Sequence, residues 1–167
     1  MTLVVARLFR QEIRILSDAK ITNRNRVRHG PLTGALKAVI LHPDLCVCYA
    51  ANKAGWAQVA IKRLNIHPAK SFELKAVISS LLKEHNAGCN DPDFIVACLR
   101  PKASLSRIWK GQVEHDVSSC WLGDYEAFVA YQEQFHASNL PNRGDVRAVE
   151  QENFKLSVTC SMPFRQS

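Results

Sequence analysis

The short segment Leu45–Ala50, Leu-Cys-Val-Cys-Tyr-Ala, constrains the fold more than any other part of the chain. Nearly all of its residues are apolar, which is typical of a β-strand that is covered by protein on both faces. The turn residues His42-Pro43-Asp44 precede it, and Leu36–Leu41 forms a second apolar strand before that turn. The sequence therefore predicts a buried hairpin with layers above and below it.

Helices and further strands surround this hairpin. Leu3–Phe9 and Glu12–Leu16 are predicted as an opening hairpin of two strands. Apolar residues at helical spacing predict one helix over Ala54–Leu64 and a longer helix capped by Ser71. The later segments are predicted as strands at Phe94–Leu99, Ser104–Trp109 and Val113–Leu122, a turn at Lys110–Gln112, and helices beginning at Asp124 and Asp145.

Strands that come in runs on either side of helices exclude a doubly wound parallel sheet. They predict an α+β protein in which two antiparallel sheets are layered between helices. The length of 167 residues, with 47% apolar and 22% charged residues, suits a single domain over residues 1–167.

The net charge of +7 is mostly dispersed along the chain, with one dense basic cluster in the predicted loop Lys20–His29. We interpret this cluster as a solvated surface, with a nucleic-acid-binding surface as the weaker alternative. The sequence shows no signal peptide and no apolar run of about 20 residues, so we expect a cytoplasmic protein without a membrane partner.

The six cysteines are expected to be reduced and mostly buried in that compartment. Cys46 and Cys48 lie two residues apart on a predicted strand and should point to the same side. No metal-ligand spacing accompanies them, so no metal or other cofactor is expected.

Several short motifs follow one another in an order that resembles a known family. Thr2 lies at the start of the first strand, Asp18 follows the second strand with basic Lys20 beside it, and Lys37 lies on the third strand. Tyr49-Ala50-Ala51 ends the fourth strand. Together these residues resemble the proteasome β-subunits within the N-terminal-nucleophile (Ntn) hydrolases. The resemblance covers residues 2 to about 138, and it implies a four-layer αββα sandwich of antiparallel sheets.

The resemblance also implies a chemistry. Removal of Met1 would expose Thr2 as the nucleophile, with its own α-amine as the base that takes the hydroxyl proton. Lys37 would lower the pKa values of that amine and hydroxyl, and Asp18 would hold Lys37 in place. The backbone N–H of Ala51 would stabilise the oxyanion.

Other residues complete or depart from the family pattern. Lys20 and Tyr49 are expected to contact the substrate. Asp124 stands where the family has a serine that helps the amine to move its proton, and Ala51 replaces a glycine. Residues after about 138 match nothing in the family, which leaves two alternatives: a truncated chain, or a second sheet that is incomplete at the C-terminus.

Two functions therefore remain open. One is a threonine peptidase that cleaves a peptide or protein substrate and assembles as a homo-oligomer. The other is an inactive relative that serves as a structural or interaction module. Each site residue also has a structural alternative, because Thr2 could simply begin a strand, Asp18 could stabilise a turn and Lys37 could protect an edge strand.

Overall fold

A computed structural model of the protein describes residues 3–10, 12–17, 37–52 and 54–138. The chain forms two compact units, Met1–Asp124 and Tyr125–Ser167. The basic loop Lys20–His29 and the helix predicted from Asp145 lie outside the described residues. The expectation of one domain over residues 1–167 stays a prediction.

The described residues form eight strands and three helices. In chain order they are β1 (Leu3–Phe9), β2 (Glu12–Ser17), β3 (Ala38–His42), β4 (Leu45–Ala50), α1 (Ala54–Arg63), α2 (Leu74–Ala87), β5 (Asp93–Cys98), β6 (Ser104–Trp109), β7 (Gln112–Glu114), β8 (Ser119–Gly123) and α3 (Tyr125–Ser138). Helix α3 belongs to the second unit and the other elements belong to the first.

The strands form a three-stranded sheet in the order β2-β1-β8 and a five-stranded sheet in the order β3-β4-β5-β6-β7. Every neighbouring pair is antiparallel. These two sheets confirm the prediction of an antiparallel α+β architecture.

One hydrophobic core lies between the five-stranded sheet and the helices α1 and α2. We call it the helix-side core, and its buried residues are Leu45, Val47, Tyr49, Ala57, Ala60, Ile61, Val77, Ile78, Leu81, Phe94, Val96 and Ile108.

A second core lies between the two sheets. We call it the inter-sheet core, and its buried residues are Val4, Ala6, Cys48, Ala50, Ile95, Ala97, Leu105, Cys120 and Leu122. Side chains of β4 alternate between the two cores, because successive residues of a strand point to opposite faces. This alternation confirms that Leu45–Ala50 is buried on both faces.

Helix α2 begins later than the sequence predicts. Glu73, rather than Ser71, is the N-cap residue, and its extended backbone makes no side-chain capping bond. Phe72 packs against the helix-side core and meets the ring of His42 edge-on, with 4.9 Å between the ring centroids. This contact holds the residues before α2 in an extended conformation, so the prediction of Ser71 as the cap is wrong.

The predicted strand Val113–Leu122 is in fact two strands in different sheets. β7 lies at the edge of the five-stranded sheet, whereas β8 pairs with β1 in the three-stranded sheet. Asp116 has a positive φ of 51° and lies between them, where the chain leaves one sheet for the other. The predicted turn before β7 is confirmed, since Lys110 and Gly111 both have the positive φ values that tight hairpins favour.

No described helix combines the length and the hydrophobicity that a membrane span requires.

Gly88 ends α2 at a position where a side chain has no room. A Cβ atom there would overlap the backbone carbonyl oxygen of Asp91 and lie 3.0 Å from its carbonyl carbon. We therefore expect Gly88→Ala to lower the free energy of unfolding by about 1–3 kcal/mol, because the backbone must move. Chemical denaturation measures this change.

Gly55 in α1 provides the matched control, since nothing lies within 4 Å of the Cβ that Gly55→Ala would add. This substitution should stabilise the protein by up to about 1 kcal/mol through helix propensity. Equal effects of the two substitutions would contradict the close packing of Gly88.

Candidate active site

Three strand ends meet at one end of the three-stranded sheet. Leu3, the first residue of β1, pairs with Gly123 of β8, and Val4 pairs with Ser17 of β2. Asp124 follows Gly123 directly, so it lies beside the point where the chain enters β1. The start of β1, the end of β2 and the end of β8 therefore lie together at one end of this sheet.

Three of the predicted site residues, Thr2, Asp18 and Lys20, lie outside the described residues. Their proposed roles stay predictions. The structure does describe the other four, which are Lys37, Tyr49, Ala51 and Asp124.

Lys37 lies immediately before β3 and is only 5% exposed. Its carbonyl oxygen accepts a hydrogen bond from the N–H of Tyr49 at 2.9 Å, which extends the β3–β4 ladder by one residue. Lysine is rarely buried, because removing an ammonium group from water is costly unless the protein provides partners for it. A lysine that protected an edge strand would keep its ammonium group in water, which the burial of Lys37 does not fit; its role in a site stays a prediction.

Ala51 and Asn52 follow the end of β4. Ala51 is half-buried and packs against the helix-side core. The N–H of Asn52 donates a hydrogen bond to Oδ1 of Asp91 at 3.2 Å. The backbone after β4 is therefore tied to the loop that precedes β5.

Tyr49 occupies a core position. Its side chain is 1% exposed, and its hydroxyl oxygen accepts a hydrogen bond from Nε2 of Gln58 at 3.3 Å. Its expected contact with substrate stays a prediction, and the burial gives the side chain a structural role.

A buried histidine is a polar feature that the sequence predictions missed. His85 of α2 is completely buried, and its Nε2 accepts a hydrogen bond from the N–H of Gly111 at 2.8 Å. Its Nδ1 must then carry the proton, which it donates to the carbonyl oxygen of Pro92 at 2.9 Å. The sequence could have indicated that His85 is buried, because His85 follows Leu81 by four residues on the apolar face of the helix.

Asp93 and Arg107 lie near this histidine. Burial raises the pKa of the Asp93 carboxyl, and the nearby His85 and Arg107 partly oppose that shift. Oδ1 of Asp93 is 3.6 Å from Nδ1 of His85. Burial also lowers the pKa of Arg107, whose charge is stabilised in part by Glu114 at 3.7 Å.

Arg107 also links the two sheets through aromatic contacts. Its guanidinium lies 3.6 Å from the ring centroid of Trp109 on β6 and 5.3 Å from that of Trp121 on β8. A cation over an aromatic face is stabilised by the negative charge of that face. The contacts connect β6 of the five-stranded sheet with β8 at the edge of the three-stranded sheet.

The described cysteines Cys46, Cys48, Cys89, Cys98 and Cys120 are free thiols, whereas Cys160 lies outside the described residues. Cys46 and Cys48 both contact the inter-sheet core, which confirms that they point the same way. A hydrogen bond from Cys48 lowers the pKa of Cys46, and burial raises the pKa of Cys120 to about 12. Within the described ranges, no group of three or more metal-ligating side chains is assembled.

Comparison by sequence gives no family model and no curated protein that matches the chain. Solved structures do match. Eukaryotic HslV from Trypanosoma brucei is 13% identical, with a TM-score of 0.57 over 93% of this chain and 90% of that chain. The Gly-1 mutant of Anbu from Hyphomicrobium sp. strain MC1 is also 13% identical, with a TM-score of 0.61 over 98% of this chain and 78% of that chain.

At 13% identity these similarities establish the fold alone. The chain has a proteasome-like α+β fold, the layered sandwich of the Ntn hydrolases. The fold predicted from the order of short motifs is therefore confirmed.

The raised pKa of Asp93 predicts a pH-dependent effect of Asp93→Asn. The unfolded chain, with an ordinary carboxyl pKa near ~3.9, loses this proton at lower pH than the folded chain. The stability that Asp93 contributes in its protonated form is therefore lost as the pH rises through the raised pKa. Asparagine does not ionise, so the unfolding free energy of the variant minus that of the wild type should increase as the pH rises from about 4.

Denaturant titrations of both proteins between about pH 4 and 7 measure this difference. A difference that decreases as the pH rises would show that the Asp93 carboxyl is stabilised in its charged form.

Tyr49→Phe tests the core role of the tyrosine hydroxyl. Removing a hydroxyl that is hydrogen-bonded to Gln58 should lower the free energy of unfolding by about 0.5–1.5 kcal/mol. A double-mutant cycle with Gln58→Ala should show non-additive effects, since both changes remove the same bond. Additive effects would argue against that bond.

Proposed function

We propose that this chain is a threonine peptidase whose nucleophile is Thr2, exposed by removal of Met1. The observation that carries the proposal is the burial of Lys37, at 5% exposure, in a proteasome-like fold. A buried lysine is costly for a structural role alone, and it suits a site in which a fixed positive charge is needed.

The proposed reaction is acyl transfer in two steps. The Thr2 hydroxyl oxygen attacks the carbonyl carbon of the peptide bond while the α-amine of Thr2 accepts the hydroxyl proton. That proton passes to the departing amine of the substrate as the peptide bond breaks, which leaves an ester on Thr2. Water then attacks the ester, releases the carboxylic acid and restores the hydroxyl.

The remaining groups support these steps. An α-amine has an ordinary pKa near ~8, and the Lys37 ammonium would favour its neutral form and thus its action as a base. Asp18 would orient that ammonium, and Asp124 would lie near the amine at the entry to β1. The N–H of Ala51 would donate a hydrogen bond to the oxyanion.

The proposal also includes the substrates, the assembly and the location of the protein. We expect peptide or protein substrates, a contact from Lys20 to the substrate, and assembly with copies of the same chain. We also expect a cytoplasmic location.

A second candidate function is that of an inactive relative with a structural or interaction role. Two departures favour it, namely the methyl group of Ala51 where the family has glycine and the carboxylate of Asp124 where the family has serine. Ala51 is half-buried against the helix-side core, so its methyl group fits the fold.

The test begins with the intact mass and N-terminal sequence of the untagged protein, which should begin at Thr2. Hydrolysis of a peptide mixture, followed by mass spectrometry, should then fall by about 10³-fold or more in Thr2→Ala, since the nucleophile is lost. Alanine is also small enough for Met1 to be removed, so this variant changes the hydroxyl and not the processing. Thr2→Ser keeps both the hydroxyl and the amine and should retain activity.

Lys37→Met should also lose most activity, whereas Lys75→Met, at an exposed lysine of α2, serves as the matched control. Retained Met1, or a Thr2→Ala variant as active as the wild type, would contradict the proposal and favour the inactive relative.

A further inference from the structure

The loop before β5 reaches across to the exit of β4. Oδ1 of Asp91 accepts a hydrogen bond from the N–H of Asn52 at 3.2 Å, although the two residues are 39 positions apart in the chain. Two residues after Asp91, Asp93 pairs with Ala50, the last residue of β4. Ala51 therefore lies between two attachments to the same segment, the ladder at Ala50 and the side chain of Asp91.

Asp91 is itself held in place by its surroundings. The Nδ1–H of buried His85 donates to the carbonyl oxygen of Pro92 at 2.9 Å, and Nε2 of His85 accepts from Gly111. On the other side, the backbone of Asp91 lies so close to Gly88 that no side chain fits between them. The loop is thus held by α2 through His85 and by the residue that ends α2, and His85 also links it to the β6–β7 turn.

The negative charge of Asp91 also suits this position. Asn52 lies two residues before α1, and α1 has no acidic residue in its first turn. A carboxylate near the start of a helix is stabilised by the partial positive charge of the free N–H groups there. The Asp91 carboxylate can supply this charge from another part of the chain.

We propose that Asp91 is a positioning residue: by fixing the peptide between Ala51 and Asn52 it anchors the chain directly after Ala51 and keeps the end of β4, which carries the N–H of Ala51, from fraying. The hydrogen bond to Asn52 holds the plane of that peptide and restricts rotation about ψ of Ala51. The inference rests on the proposed function, in which the N–H of Ala51 donates to the oxyanion. Such a donor stabilises the transition state only when its direction is set in advance.

The experiment compares the wild type, Asp91→Ala and Asp91→Asn, each as the full chain after removal of Met1. Asp91→Ala removes the acceptor, whereas Asp91→Asn keeps an oxygen that can accept the same bond. Glu73→Ala is the control, since it removes an exposed carboxylate at the other end of α2 that makes no side-chain capping bond. The measurements are amide hydrogen exchange at Asn52 by NMR and the kcat and KM for peptides that the wild type cleaves.

Asp91→Ala should speed exchange at Asn52 and lower kcat, each by roughly five- to tenfold, with little change in KM. Asp91→Asn should restore most of both values, and Glu73→Ala should match the wild type. An Asn52 amide that exchanges equally fast with and without Asp91, or an Asp91→Asn variant as impaired as Asp91→Ala, would overturn the inference.

The exchange measurement separates this inference from the proposed function. If the wild type cleaves no peptide but its Asn52 amide is protected and Asp91→Ala releases it, the proposed peptidase activity fails and the positioning contact stands. If the wild type cleaves peptides and Asp91→Ala leaves kcat unchanged, the activity stands and the positioning role fails.

Discussion

The burial of β4 and β5 on both faces is the constraint on which the rest of the first unit depends. A strand whose two faces are both apolar cannot lie in an outer layer, because either face would then be exposed to water. The helices α1 and α2 cover one face and the three-stranded sheet covers the other. Small residues such as Ala57 and Ala60 allow the helices to approach the five-stranded sheet closely. The layered order follows from this requirement alone, without any contribution from the site.

Against this apolar background, each buried polar side chain needs its own explanation. His85 exchanges its bonds with water for two bonds to backbone groups, so it can serve as a structural link between α2, the loop before β5 and the β6–β7 turn. Arg107 stacks on tryptophan and lies near Glu114. Core formation requires no charge at the start of β3, where an apolar residue would be cheaper to bury than Lys37. Lys37 is buried at a position that the motif order predicts as a site residue, which is why it supports a functional proposal, whereas the bonds of His85 explain it structurally.

The sequence predicts much of the layered fold, because apolar periodicity reports directly on which faces are buried. It predicts the bounds of β4 and the turn before β7, and it predicts a helix near α2. It fails where contacts distant in sequence decide the structure, as when Phe72 delays the start of α2 and the chain changes sheets near Asp116. For the same reason no local pattern could predict the bond between Asn52 and Asp91. The motif order predicts Lys37 as a site residue, but only the structure shows that it is buried.

A fold and an activity differ in how strongly they depend on particular residues. Many combinations of apolar side chains satisfy the layered cores, so the fold can persist at 13% identity to HslV and to Anbu. A hydrolytic site depends on a few polar atoms whose directions must be accurate, and overall similarity says little about them. Ala51, for which the resemblance implies a glycine in the family, illustrates this point. Alanine cannot use the wide range of backbone conformations open to glycine, so its N–H can be directed correctly only if the neighbouring peptides favour one allowed conformation. In this chain the β4 ladder holds the peptide before Ala51, and Asp91 holds the peptide after it. The backbone of Ala51 is therefore restrained from both sides, which alanine requires and glycine would not satisfy by itself.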